Sequence, residues 1–250
     1  MSDENEQVKR PGSEPPRVLP TRFYQKAAVE THAGQHHLML DGKPTRTPKK
    51  KPLAVPTRAF AEAIAAEWNA QAERIDPATM PLTRYANTIL DGIIGREAEV
   101  RADIVKYAGT DLVCYRADMP DDLIETQAAS WDPLLAWVRE ELKMPLVATE
   151  GVMPVDQAHD TMRRAEAALA DLGAFHLAAV HTMTTLMGSL VLALAVLKGR
   201  LSAQEAWTAA HLDEDWQIRK WGADAEAAAR RERRWREMQS ADLLLRLLAE

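Results

Sequence analysis

The sequence is poor in several residue types, and each shortage rules something out. It has a single cysteine, Cys114, so no disulfide can form within the chain and a reducing compartment suits it. No GxGxxG occurs. The Gly42-Lys43 of DGKPT lacks the earlier glycine of GxxxxGK(S/T), and Pro44 removes a backbone N–H donor such a loop would use. Nucleotide hydrolysis therefore has no visible machinery. HExxH and paired CxxC motifs are missing, and zinc normally needs three or four converging ligands. Gly188-Ser189 lacks the flanks of a nucleophile elbow. Positive charge is in the minority, for a net -6, which argues against nucleic acid as a main partner.

An uninterrupted apolar span is also lacking. Residues 177–197, LAAVHTMTTLMGSLVLALAVL, match a bilayer in length, about 20 residues. His181, Thr182, Thr184, Thr185 and Ser189 interrupt them, so the segment reads as one buried central helix with no membrane insertion. The first twenty residues, MSDENEQVKRPGSEPPRVLP, start acidic and hold no apolar core. They resemble neither a secretory signal nor a transit peptide, and Pro11, Pro15, Pro16 and Pro20 suggest a disordered lead-in.

What is present is an ordinary globular balance, 46% hydrophobic and 27% charged, over 250 residues, enough for a sizeable core. Residues 21–56 hold short extended segments punctuated by Gly34, Asp41-Gly42 and four prolines, a pattern of hairpins in a small antiparallel sheet. Lys49, Lys50 and Lys51 make a basic tip that reads as a solvated turn. From Thr57 the pattern is helical. Thr57 caps a helix bearing Phe60, Ala63, Ile64, Trp68 and Gln71, and Asp76-Pro77 stops it. A helix from Pro120 is expected to end near Ser130, and Asp132-Pro133 to start the next. Another is expected over 155–172. Ser202 and Glu205 form a capping box that launches a helix into HLDEDWQIRKWG, and a last segment spans about 224–249. The expected fold class is α+β. A lead-in, 1–20, precedes a small N-terminal antiparallel β domain, 21–56, and a larger C-terminal α-helical domain, 57–250.

Candidate chemistry is sparse. His32, His36 and His37 flank the Gly34 turn, where helical ligand spacing is unavailable, so they read as a solvated cluster. His176 and His181 are five apart, off a common helical face. Cys114 reads as a small buried hydrophobe. The arginine run Arg230, Arg231, Arg233, Arg234 and Arg236 is interleaved with acids. Glu226–Arg230 and Glu232–Arg236 are favourable i,i+4 pairs, which points to a solvated helix face.

HLDEDWQIRKWG, residues 211–222, is the exception. On a helix at about 100° per residue, Trp207, His211, Glu214, Ile218, Trp221 and Ala225 fall within about 40° of one direction. Trp216 points the other way, and Asp213 and Asp215 flank the stripe. Glu214 therefore sits in an apolar and aromatic face. If buried, it needs a partner, because unpaired burial costs several kcal/mol. If exposed, it suits a partner surface offering Arg or Lys. The pattern alone favours the structural reading. Catalysis is poorly supported; its best form is a metal-dependent hydrolase using His211 and Glu214.

Several long stretches resemble one family. They are LDGKPTRTPKKKPLAVPT, AIAAEWNAQAERIDPATMPLTRYANTILD, AGTDLVCYRAD, WDPLLAW, GSLVLALAVLKGRLSAQEAWTAAHLDEDWQIRKWG and DAEAAARR, spread from about Phe23 to Arg231. They are similar to the Atp-twelve family, assembly chaperones of the F₁-ATPase α subunit. The resemblance implies a protein that is not an enzyme and needs no cofactor or metal. It would bind unassembled α subunit, cover the surface later taken by the β subunit, prevent aggregation and promote the α/β hexamer. It implies a cytoplasmic, α-proteobacterial member, or a mitochondrial matrix one if eukaryotic, monomeric when free. On the family's LDE–WG region the matching acid is Glu214, with Asp213 the alternative. The partner-binding set is then Glu214, Asp213, Trp207, Ile218 and Trp221, and the resemblance shifts Glu214 from the structural reading to docking. Trp68 also matches a family position, while its own pattern reads as core packing.

Overall fold

Two tight turns fold the start of the chain into a sheet. This computed structural model describes residues 18–151, 153 and 155–249. Ala33 and Gly34, with φ of 50° and 76°, join β1 (Ala27–His32) to β2 (Gln35–Leu40). Asp41 and Gly42, with φ of 49° and 74°, join β2 to β3 (Lys43–Pro44). Consecutive left-handed residues match the twist of antiparallel strands, so both turns suit their hairpins. Asp41 adds a second function: its carboxylate accepts the Gln25 and Lys26 backbone N–H groups at 3.0 and 2.8 Å. β2 is the central strand. β1 pairs along one edge, with Ala27 opposite Leu40 and His32 opposite Gln35. β3 and β4 (Ala54–Val55) pair along the other.

Leu38, Leu40, Leu53 and Val55 are buried from this sheet, and Phe60, Ala61 and Ile64 from α1 (Arg58–Asn69), which packs on it. All belong to one continuous cluster with the helices that follow. Thr57 starts α1 as expected: its Oγ1 accepts the Phe60 N–H at 3.3 Å and donates to the Leu247 carbonyl at 2.6 Å. The basic tip is not merely solvated. Thr47 Oγ1 donates to Asp91 at 2.6 Å, the Lys49 N–H donates to the same carboxylate at 3.0 Å, and Lys51 Nζ donates to the Leu90 carbonyl. Residues 1–17 of the expected lead-in lie outside the described residues. Pro20 is tied in, its carbonyl accepting the Ile75 N–H at 2.9 Å.

The helical part contains α2 (Pro81–Thr88), α3 (Glu97–Lys106), α4 (Asp121–Glu141), α5 (His159–Ala168), α6 (Ala174–Met187), α7 (Leu190–Leu197), α8 (Ala203–Ala210), α9 (Leu212–Trp221) and α10 (Ala225–Leu248). A wide π turn, Ile89–Ile93, follows α2. β5 (Tyr115–Arg116) and β6 (Thr149–Glu150) form a short parallel pair.

Helix α1 ends at Asn69, short of Gln71 and of the expected stop at Asp76-Pro77. Three further expectations change. The apolar run is two helices rather than one. Gly188, with φ of 67°, ends α6, and Ser189 Oγ accepts the Leu192 N–H at 3.0 Å to begin α7. Leu190 through Val196 are all buried, so the first turn of α7 needs internal acceptors. Asp111 supplies one: an oxygen accepts the Val191 N–H at 3.0 Å, while its other oxygen accepts the Val113 N–H of its own turn at 3.3 Å. Among the described residues no helix is long and apolar enough to cross a membrane.

The second change is at α4, which runs through Pro133 instead of restarting there. Proline costs one backbone hydrogen bond in mid-helix. Burial of Trp131, Leu134, Trp137 and Val138 holds the helix together across it, and Trp131 Nε1 donates to the Ala209 carbonyl at 3.0 Å. Third, the helix expected over 155–172 is confined to His159–Ala168.

Candidate functional site

The helix expected to carry the stripe is broken. The Ser202–Glu205 capping box starts α8: the Ser202 N–H donates to Glu205 at 2.8 Å and the Glu205 N–H to Ser202 Oγ at 3.2 Å. The chain then leaves helical geometry at His211, with φ of -113° and ψ of 20°, and resumes as α9. The His211 ring lies on Trp207, centroids 3.9 Å apart, and Nδ1 donates to the Trp207 carbonyl at 2.8 Å. Burial pushes the His211 pKa below its usual value and favours the neutral ring. The break places Asp213, Glu214 and Asp215 in the first turn of a new helix, where the macrodipole favours acids.

These acids have separate fates. Asp213 accepts from Gln127 Nε2 of α4 at 2.8 Å, and Gln127 Oε1 in turn accepts the Ala117 N–H at 2.8 Å. Asp215 accepts from both terminal nitrogens of Arg231 on α10, the longer contact being 3.1 Å. Glu214 is exposed and has no hydrogen-bond or ion-pair partner among the described residues. The buried ion pair that the pattern favoured is therefore not what the fold builds. Trp216 is buried on the opposite side of α9 and meets Trp221 edge-on at 5.4 Å.

Between α9 and α10, closed by the turn at Gly222, lies a groove of about 620 Å³. Trp207, itself buried, and half-buried Trp235 have centroids 5.4 Å apart and form its aromatic floor; Ile218 and Trp221 also line it, the latter 73% exposed. Four of the five expected partner-binding residues thus line one groove: Trp207, Glu214, Ile218 and Trp221. Asp213 does not; it faces α4. Two members of the expected stripe shift as well, because the helix is interrupted. His211 is buried at the break, and Ala225 belongs to α10.

The α10 wall was missed. Arg230, Arg231, Arg234 and Trp235 line the groove from a segment read as a solvated face. Trp235, an aromatic within RRERRWRE, was the signal available. Of the two i,i+4 pairs expected there, Glu232–Arg236 forms at 3.3 Å, and Glu226–Arg230 is not among the ion pairs.

The remaining candidates are placed elsewhere. His36 Nδ1 lies 2.9 Å from Thr31 Oγ1 on the β1–β2 hairpin, and His181 Nε2 lies 2.9 Å from Asp103. Among the described residues no three His, Cys, Asp or Glu side chains are grouped to hold a metal. His211, buried and committed to Trp207, and Glu214, exposed, do not make the ligand set a hydrolase would need. Cys114 is buried, which pushes its thiol up to about 12. Trp68 is half-buried beside Tyr24, centroids 5.3 Å apart, and its carbonyl accepts from Tyr24 Oη at 2.7 Å.

This fold recurs in known proteins. The family model described as ATP12 chaperone protein matches residues 21–139. The crystal structure of Atp12 from Paracoccus denitrificans is 42% identical, with a TM-score of 0.88 over 91% of this chain and 98% of that one. A putative chaperone from Agrobacterium tumefaciens is 43% identical, also with a TM-score of 0.88, over 92% and 87%. The mitochondrial protein atp12 of Schizosaccharomyces pombe is 23% identical over 214 residues, 81% of this chain and 74% of that protein.

Proposed function

The chain belongs to the ATP12 chaperone family, and from that premise we propose that it binds unassembled F₁-ATPase α subunit during ATP synthase assembly. It is a chaperone, not an enzyme. In this reading it shields the α surface that later faces the β subunit, keeps lone α from aggregating, and yields it to the α/β hexamer. The compartment would be the bacterial cytoplasm, or the mitochondrial matrix in a eukaryote. The working species would be a monomer without cofactor, nucleic acid or membrane insertion.

The observation that carries this reading is the α9–α10 groove. Its aromatic walls offer apolar area to a client, and Glu214 stands over them without a partner. Tryptophan anchors supply much of the energy at protein interfaces. An unpaired acid among them keeps the empty groove hydrated and disfavours clients that leave it desolvated. The groove's other two acids have partners, Asp224 as the cap of α10 and Glu232 with Arg236, so Glu214 is the acid left to a client.

The test is light scattering of isolated α subunit diluted from denaturant. The protein should suppress aggregation near stoichiometry, and Glu214→Lys should weaken binding about tenfold with an unchanged circular dichroism spectrum. Equal suppression of an unrelated aggregating protein defeats the client-specific claim.

A further inference from the structure

We infer that the α9–α10 groove selects its occupant by polarity, taking a client segment with a cationic and an anionic side chain on opposite sides of an apolar residue. This rests on the groove being the client site.

The argument is one of elimination. Six charged side chains line the groove: Glu214, Asp224, Arg230, Arg231, Glu232 and Arg234. Four have a hydrogen-bond or ion-pair partner within the protein. Asp224 caps α10, accepting the Ala227 N–H at 2.7 Å. Arg231 is held by Asp215. Arg234 donates to the Leu186 carbonyl. Glu232 pairs with Arg236 at 3.3 Å. Among the described residues, only Glu214 on α9 and Arg230 on α10 have no partner, and they do not pair with each other. One wall therefore offers a carboxylate with no hydrogen-bonded partner, which acts on Arg231 only through space, and the other an unpaired guanidinium, in a groove that tryptophan also lines.

A uniformly basic occupant would satisfy Glu214 and leave a cation against Arg230; a uniformly acidic one would do the reverse. Like charges brought together across an interface are strongly unfavourable, so both are disfavoured. An occupant with one charge of each sign satisfies both walls and in one direction only. The Asp215–Arg231 pair ties α9 to α10 beside the two unpaired charges.

The test measures binding of isolated, refolded α subunit to the full chain carrying Glu214→Lys, Arg230→Glu, or both, at low and high salt. Each single reversal should weaken binding about tenfold or more. The double variant should stay weak, because its polarity opposes that of the client. Glu214→Gln and Arg230→Gln should give smaller losses and a shallower salt dependence, a readout that a purely structural role would not move. Both residues are exposed, so the fold should survive each change. Wild-type binding by Arg230→Glu alongside weak binding by Glu214→Lys would overturn the polarity reading and leave the chaperone groove standing. Unaltered binding by both single variants would remove the groove as the client site. Recovery in the double variant would mean that only net charge matters, and would also overturn the proposal.

Discussion

Asp111→Asn should change how stability depends on pH, by an amount the structure allows to be worked out. Asp111 is buried at the start of α7, and burial raises its carboxyl from 3.8 to about 6 even though Ser189 and backbone N–H groups of Val191, Val113 and Leu190 favour the anion. At about 1.4 kcal/mol per pH unit, keeping it ionised in the fold costs about 3 kcal/mol. Below 3.8 both folded and unfolded chains are protonated and the cost vanishes. Between 3.8 and about 6 the folded chain holds a proton that the unfolded chain releases, so stability falls as pH rises. Above 6 the full cost is present. Asparagine cannot titrate. It keeps one acceptor oxygen and turns an amide toward a backbone N–H, a penalty that does not vary with pH. Urea unfolding of both proteins, followed by circular dichroism, should therefore show the variant gaining about 2 kcal/mol relative to wild type between pH 4.5 and pH 7. Carboxylates with lowered pKa values, such as Asp103 beside His181 and Lys106, tilt both curves the other way and cancel in the difference. Parallel curves, or a difference of opposite sign, would refute the assignment of a buried, partly protonated Asp111.

Two further outcomes test the packing of the core. Trp131→Phe removes the indole donor to Ala209 at the end of α8 and leaves a space in the core. It should cost about 2 kcal/mol, read as a lower urea midpoint with the slope unchanged. Cys114, with its thiol at about 12, should resist a disulfide reagent at pH 8 in the folded protein and react at once in urea, since roughly one thiol in ten thousand is ionised when folded. Rapid labelling of the folded protein would contradict its burial.

The fold was readable where local chemistry decides it. Thr57, the Ser202–Glu205 box and the Asp41-Gly42 turn act through their own backbone neighbours, and each does what its residue type predicts. It was unreadable where burial overrides a local rule. Pro133 should have started a helix, yet the burial of Trp131 and Trp137 carries α4 through it. LAAVHTMTTLM and LVLALAVL are apolar on nearly every side, so no change of phase marks the break at Gly188. The capping acid, Asp111, lies about 80 residues earlier in the chain, and no local pattern links it to α7.

The three consecutive acids of α9 show the same division within the site. Neighbouring helical residues point about 100° apart, so DED cannot act as one charged cluster. That much was legible, and it left Glu214 alone in the apolar stripe. What it could not give is why the stripe holds still. Asp213 reaches Gln127 of α4, and Asp215 reaches Arg231 of α10, both distant in sequence. These contacts fasten α9 on two sides, and the break at His211 gives it freedom to turn toward them. The third acid then has no fold partner left to find. The two paired aspartates make a rigid mount, and that mount lets Glu214 line the groove unpaired, which the proposed client contact requires.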